Sequence, residues 1–152
     1  MTPSLRATAT IDVAADRARV FRLLTEPELV PLWVKGLVES RPEGDGQVRL
    51  GARSIEVVRQ GGRTTQMVAE IVELIPEPVV ANRLEASDGQ YLSRFELREA
   101  GPACRVTQSM TAEIRLPRLV PRRAVTWFLA ARLRQDLGRL KRLAESASER
   151  RI

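Results

Sequence analysis

The strongest constraint on the fold is a long central region in which short strand-like segments alternate with turn residues. Between Gly36 and Arg115 the turns are Glu43-Gly44-Asp45-Gly46, Gly61-Gly62, Pro76-Glu77-Pro78, Asp88-Gly89 and Ala100-Gly101-Pro102. Gly-Gly and Asp-Gly supply the positive φ that tight hairpins require. We therefore expect the successive strands to be antiparallel neighbours in a meander.

The predicted strands have one apolar and one polar face. Apolar and polar residues alternate over residues 4–12, which predicts the first strand, and the clearest alternation is over residues 104–115. There, Cys104, Val106 and Met110 share one parity, while the other parity is polar or charged. Side chains of one parity lie on one face of a strand, so one face is suited to burial and the other to water.

Helical patterns occur at both ends of the chain. Asp16 is placed to cap a first helix that runs up to Pro27, and a second short helix is predicted over Glu28 to Trp33. A long helix is predicted over roughly Arg122 to Ser146. Its apolar stripe, with spacings of three and four, is Leu129, Leu133, Leu137, Leu140 and Ala144, and Phe128 and Ala130 are expected to widen it.

These elements together predict an α+β helix-grip fold. A curved antiparallel sheet of six to seven strands needs a cover for its apolar face, and the C-terminal helix is the only predicted element long enough to supply it. The two short helices after the first strand then close one end of the grip. We expect a single domain over residues 1–152, with an apolar ligand cavity between the sheet and the helix.

The segment Ile11-Asp12-Val13-Ala14-Ala15-Asp16-Arg17-Ala18-Arg19-Val20-Phe21-Arg22-Leu23-Leu24-Thr25-Glu26-Pro27-Glu28-Leu29, followed by Trp33, resembles the opening pattern of the SRPBCC or START-like superfamily. Glu70 to Pro76 and Arg105 to Thr107 are also similar to it. This superfamily includes polyketide cyclase/dehydrase-like, birch-pollen-allergen-like and lipid-transfer proteins. Val34 stands where the branch related to chaperone ATPase activators usually has a second Trp, which favours the cyclase-like branch.

The composition excludes several kinds of site. The chain has no His and one cysteine, Cys104, so it cannot form an internal disulfide or a Cys/His zinc cluster. Without His, a Ser-His-Asp triad and the commonest general base are also excluded. We therefore expect no metal and no cofactor, an inert buried thiol at Cys104, and a cytoplasmic location.

The candidate ligand-binding residues are those with inward parity on the late strands, the inner face of the long helix and one tryptophan. Asn82 and Gln108 are the polar candidates, and for Gln108 the alternative is a hydrogen bond to a neighbouring protein element, since buried polar groups ordinarily find a protein partner. Tyr91 is predicted either at the rim or in the lining, and Trp33 either as a lid over the core or as a plate for a ligand. The full set is Trp33, Met67, Asn82, Tyr91, Phe95, Gln108, Met110, Leu129 and Leu133.

Positive charge is concentrated near the C-terminal end. The net charge is +6, and residues 115–152 contain 11 basic and 3 acidic side chains, so their net charge is +8. This segment also contains Leu119, Trp127 and Phe128. It is interpreted either as a solvated helix face or as a surface that contacts a membrane or an acidic partner transiently. No nucleic-acid partner is expected, because no aromatic stacking platform is apparent.

The leading functional hypothesis is binding or carriage of a small hydrophobic molecule, aromatic or lipid-like, by a monomer or homodimer. The resemblance implies a rival, a polyketide-type aromatase/cyclase or dehydratase that positions its substrate. A docking module that uses the basic helix is the third hypothesis. No catalytic residue is predicted.

Overall fold

The computed structural model describes residues 4–149 and confirms the α+β helix-grip prediction. Its strands are β1 Ser4–Val13, β2 Leu37–Pro42, β3 Arg53–Gln60, β4 Arg63–Ile75, β5 Val79–Ala86, β6 Gly89–Ala100 and β7 Ala103–Ile114. Its α-helices are α1 Arg17–Thr25 and α2 Arg122–Glu149. Within the described residues the strands form one antiparallel sheet in the order β1-β7-β6-β5-β4-β3-β2.

Tight turns and bulges give the sheet its curvature. At the start of β6, a Cβ atom on Gly89 would lie 2.1 Å from the carbonyl oxygen of Glu113, so only glycine allows this close approach of β6 to β7. The β2–β3 and β4–β5 ladders each shift register once, between Leu37 and Glu39 and between Ile71 and Glu73. Such irregularities bend a strand and increase its twist.

The core lies between the concave face of the sheet and α2. Leu133, Leu137, Leu140 and Ala144 are each at most 2% exposed, which confirms this part of the predicted stripe of the long helix. They pack in one cluster with Val13, Leu97 and Val106 from the sheet. Phe128, which was expected to widen the stripe, is instead 66% exposed. The C-terminal half of α2 is also tied to the end of β1, because Lys141 Nζ donates to the Asp12 carbonyl at 3.0 Å.

Two local predictions near the start of the chain need correction. Asp16 occupies the N-cap position of α1, but its side chain makes no capping hydrogen bond. The second short helix predicted over Glu28 to Trp33 is reduced to a turn and a single 3₁₀ turn, Val30–Leu32. Pro31 has no N–H to donate to an i−4 carbonyl, so the ladder of i→i−4 hydrogen bonds has a gap at this residue.

Candidate functional site

A cavity of about 630 Å³ lies between the sheet, α2 and the segment around α1 and the 3₁₀ turn. Its volume falls within the usual range of small-molecule sites. The cavity lining brings together every residue predicted to bind a ligand: Trp33, Met67, Asn82, Tyr91, Phe95, Gln108, Met110, Leu129 and Leu133. That these side chains bind a ligand remains a prediction.

Trp33 forms an apolar part of the cavity wall and is 3% exposed. Its indole Nε1–H donates to the carbonyl of Leu23 at 2.7 Å. This carbonyl lies in the last turn of α1, where the residue four positions on is Pro27, which has no N–H. Trp33 therefore satisfies an acceptor that the helix leaves open. Its ring also meets Phe95 edge-to-face, with centroids 6.0 Å apart.

Gln108 and Ser93 form a buried polar pair in the floor of the cavity, and each is 5% exposed. Gln108 Nε2 donates to Ser93 Oγ at 3.1 Å, so the amide nitrogen has the protein partner that was one of the two predicted alternatives. The amide oxygen is buried without a hydrogen-bond partner among the described residues. Asn82 is the register partner of Ser93 on β5. Amide and hydroxyl groups thus occupy three adjacent strands.

Tyr91 lies near the turn between β5 and β6, which also contributes to the cavity lining. Its hydroxyl donates to Asp88 Oδ2 at 2.8 Å. Burial, and then the hydrogen bond and charge of Asp88, raise the pKa of Tyr91 above its ordinary value. The phenol therefore stays protonated near neutral pH and serves as a polar group rather than a base.

Glu56 is a cavity-lining carboxyl that the sequence analysis missed. Its Oε1 accepts hydrogen bonds from Ser40 Oγ at 2.9 Å and from Ser54 Oγ at 2.5 Å. Its Oε2 is buried with no partner among the described residues. Burial raises the pKa of Glu56, and the two serine hydrogen bonds oppose that rise.

The position of Glu56 is the reverse of what simple alternation indicates. It stands between Ile55 and Val57, and alternation would place these two apolar side chains on the cavity face and Glu56 on the opposite face. The structure instead directs Ser54, Glu56 and Val58 to the cavity. The detectable signal was the register, because Glu56 pairs with Met67, which had been assigned to the inward face.

Asp136 and Arg132 fix the loop that follows Trp33, and both line the cavity. Asp136 Oδ1 accepts the backbone N–H of Lys35 at 3.1 Å, and the Arg132 guanidinium donates to the Lys35 carbonyl. Burial raises the pKa of Asp136, while the Lys35 N–H and nearby cationic groups lower it. A sequence signal did exist, because Asp136 follows Leu133 by three residues and precedes Leu140 by four.

The site combines apolar walls with isolated polar groups. Cys104 is buried outside the cavity lining, and burial raises the pKa of its thiol, as expected for an inert cysteine. Among residues 4–149 no group of three or more His, Cys, Asp or Glu side chains is arranged to hold a metal ion. No described helix combines the length and apolar character needed to cross a membrane.

Comparison with protein families gives a match over residues 4–145 to the model described as "Polyketide cyclase / dehydrase and lipid transport". A comparison with curated proteins finds no match.

Solved structures share the fold at low sequence identity. The protein TTHA0849 from Thermus thermophilus is 21% identical, with a TM-score of 0.78 over 96% of this chain and 99% of its own. A START superfamily protein from Mycobacterium smegmatis is 17% identical, with a TM-score of 0.78 over 93% and 98% of the two chains. The di-domain ARO/CYC StfQ from the steffimycin biosynthetic pathway is 13% identical, with a TM-score of 0.79 over 96% of this chain and 52% of its own.

Proposed function

Because this chain belongs to the polyketide cyclase/dehydrase and lipid transport family, we propose that it binds and carries a small hydrophobic molecule with at least one polar group. The observation that carries this proposal is the cavity of about 630 Å³ between the sheet and α2. A cavity of this size accommodates a molecule with several fused rings or a folded acyl chain.

The lining favours a molecule that is mostly apolar. Trp33, Phe95 and Leu133 are buried and line the cavity, and Trp33 has already used its N–H on the protein. These side chains therefore offer hydrophobic contact without a hydrogen bond. On the floor, the Gln108–Ser93 pair and Asn82 suit a hydroxyl or carbonyl group of the ligand.

The residues that line the cavity fit a carrier protein better than an enzyme. The chain has no His, and the single tyrosine, Tyr91, donates its hydroxyl hydrogen bond to Asp88 and has a raised pKa. Asp136 is occupied with the Lys35 backbone. These groups shape and close the cavity, whereas general acid–base catalysis needs a group that exchanges protons near the working pH.

Glu56 favours a second candidate, a cyclase or dehydratase that acts on a polyketide-like carbonyl compound. A carboxyl group whose pKa is raised by burial can stay protonated and donate a hydrogen bond to a carbonyl oxygen on which negative charge develops. The fold similarity to the ARO/CYC protein StfQ is consistent with this candidate.

Native mass spectrometry and displacement of 1-anilinonaphthalene-8-sulfonate test the carrier proposal. Ala69 lines the cavity and is buried, so Ala69→Phe should fill part of the cavity and abolish probe binding and the co-purifying mass. Val68→Phe, on the opposite face of β4, is the matched control and should retain both. If Ala69→Phe remains folded and still binds the probe like the wild type, the cavity is not the binding site.

The same measurements on a third variant distinguish the two candidates. Glu56→Gln removes the acidic proton and retains the shape of the side chain. If the protein is a carrier, Glu56→Gln should bind the natural ligand and release it chemically unchanged. If the wild type converts a polyketide-type substrate and Glu56→Gln binds it without conversion, the cyclase or dehydratase candidate replaces the carrier.

A further inference from the structure

The segment from β7 into the first turns of α2 has strong positive charge. Between residues 115 and 135 there are six arginines and no Asp or Glu, and the first carboxylate beyond them is Asp136. A cationic side chain near an anionic lipid surface gains favourable electrostatic energy, which adds up over several arginines. The arginines of this segment are Arg115, Arg118, Arg122, Arg123, Arg132 and Arg134.

The same segment exposes large apolar side chains. Leu119 is 96% exposed, Trp127 is 63% exposed and Phe128 is 66% exposed. The rings of Trp127 and Phe128 meet edge-to-face with centroids 5.2 Å apart, so they form a joint aromatic surface. We call Arg118, Leu119, Arg122, Arg123, Trp127 and Phe128 the basic-aromatic patch.

The segment that carries the patch also contacts the candidate ligand cavity, although none of the six patch residues lines it. The backbone N–H of Arg115 donates to the carbonyl of Asp88 at 3.1 Å, and Asp88 lines the cavity. At the helix, Leu129 follows Phe128 directly and also lines the cavity. The segment that carries the patch therefore joins the cavity wall at Leu129 and at the Arg115–Asp88 contact.

A shallow depression beside the patch is suited to a phosphate group. It is lined by Arg6 from β1 and by Arg122, Arg123 and Trp127 from α2, together with small and apolar side chains. Arginine guanidinium groups bind phosphate with well-defined hydrogen-bond geometry, and a neighbouring Trp is favoured at the boundary between headgroups and acyl chains.

We propose that the basic-aromatic patch docks on a bilayer that contains anionic phospholipids. The arginines contact headgroup phosphates, while Leu119, Trp127 and Phe128 enter the interface. A second copy of the chain is a poor occupant, because symmetric contact would bring two sets of arginines together. The role of docking rests on the proposed carrier function. A docked protein can exchange its ligand with the membrane only if the cavity is the site that holds the ligand.

Sedimentation with vesicles measures the docking directly. The wild type should bind vesicles of phosphatidylcholine mixed with phosphatidylglycerol and should not bind phosphatidylcholine alone. Each arginine near an anionic surface strengthens binding roughly fivefold. Arg118→Glu with Arg123→Glu should therefore weaken the partition coefficient by about thirtyfold or more.

Matched variants separate patch contacts from net charge. Arg59→Glu with Arg142→Glu changes the total charge equally at two exposed sites outside the patch and should weaken binding much less. Trp127→Ala with Phe128→Ala keeps every charge and should still lower the partition coefficient. With brominated acyl chains, the emission of Trp127 should be quenched, while buried Trp33 provides an internal reference.

Docking and carriage can fail separately. Vesicle association is measured without added ligand, and binding of 1-anilinonaphthalene-8-sulfonate is measured without vesicles. The docking proposal is overturned if anionic vesicles do not bind, if both pairs of arginine variants lose binding equally, or if the protein prefers duplex DNA to vesicles. If the patch variants lose vesicle binding and keep the probe, docking is supported and the cavity remains intact.

Discussion

Trp33→Phe tests whether the indole hydrogen bond holds the closed end of the cavity together. The change removes the donor to the Leu23 carbonyl, which is buried and has no helical donor because Pro27 follows at the fourth position. An unsatisfied buried acceptor costs about 1–3 kcal/mol. The smaller ring also leaves part of the space beside Phe95 unfilled, which adds ~1 kcal/mol.

We therefore expect Trp33→Phe to lower the free energy of unfolding by about 2–4 kcal/mol. For a domain of this size, each kcal/mol lowers Tm by roughly 2–4 °C, so the expected fall is about 5–15 °C. Urea denaturation monitored by far-UV circular dichroism measures the free energy, and calorimetry measures Tm.

Phe95→Leu is the matched control, because it removes the edge-to-face contact with Trp33 and keeps the indole donor. The double variant isolates the coupling between the two rings, for which about 0.5–1.5 kcal/mol is expected. A free energy of unfolding for Trp33→Phe within ~0.5 kcal/mol of the wild type would refute the reasoning. So would a Phe95→Leu variant that is the less stable of the two.

Two further predictions concern burial. Burial raises the pKa of Glu56 in the folded protein above its ordinary value of 4.5. The protonated side chain therefore contributes fully to the free energy of unfolding below pH 4.5, and this contribution is lost as the pH rises through the raised pKa. Glu56→Gln should therefore gain stability relative to the wild type between acidic and neutral pH in parallel urea titrations, and a constant difference would contradict the burial of the carboxyl. Leu140→Ala, at a side chain that is 0% exposed, should cost about 2–5 kcal/mol. Phe128→Ala, at an exposed ring, should change the unfolding free energy by less than ~0.5 kcal/mol, and similar costs would mean that the inner face of α2 is wrongly assigned.

Sequence patterns predicted the parts of the fold that depend on repetition. The alternation over residues 104–115 and the spacing of Leu133, Leu137 and Leu140 each recur often enough to identify a face. Strand and helix faces of this kind located eight of the nine predicted cavity residues, all except Trp33, because wall and core share one surface in this fold.

The parts that sequence could not provide depend on single contacts. Glu56 lies between two apolar neighbours on β3, so alternation alone would place it on the face away from the cavity, and only the pairing with β4 shows its true side. Asp16 is a good capping residue by type, yet its rotamer makes no capping bond. The tie between Trp33 and Leu23 spans ten residues and requires the coordinates of both.

The sheet order has a consequence for how the chain reaches this structure. Among the described strands β1 pairs only with β7, and Asp12 and Ala14 near its end are held by Lys141 and Glu145 from α2. During synthesis β1 must therefore wait for the last strand and the long helix before it gains its partners. Folding is completed by contacts of long sequence separation, which are slow to form, and early chain release would leave an unpaired apolar strand open to aggregation.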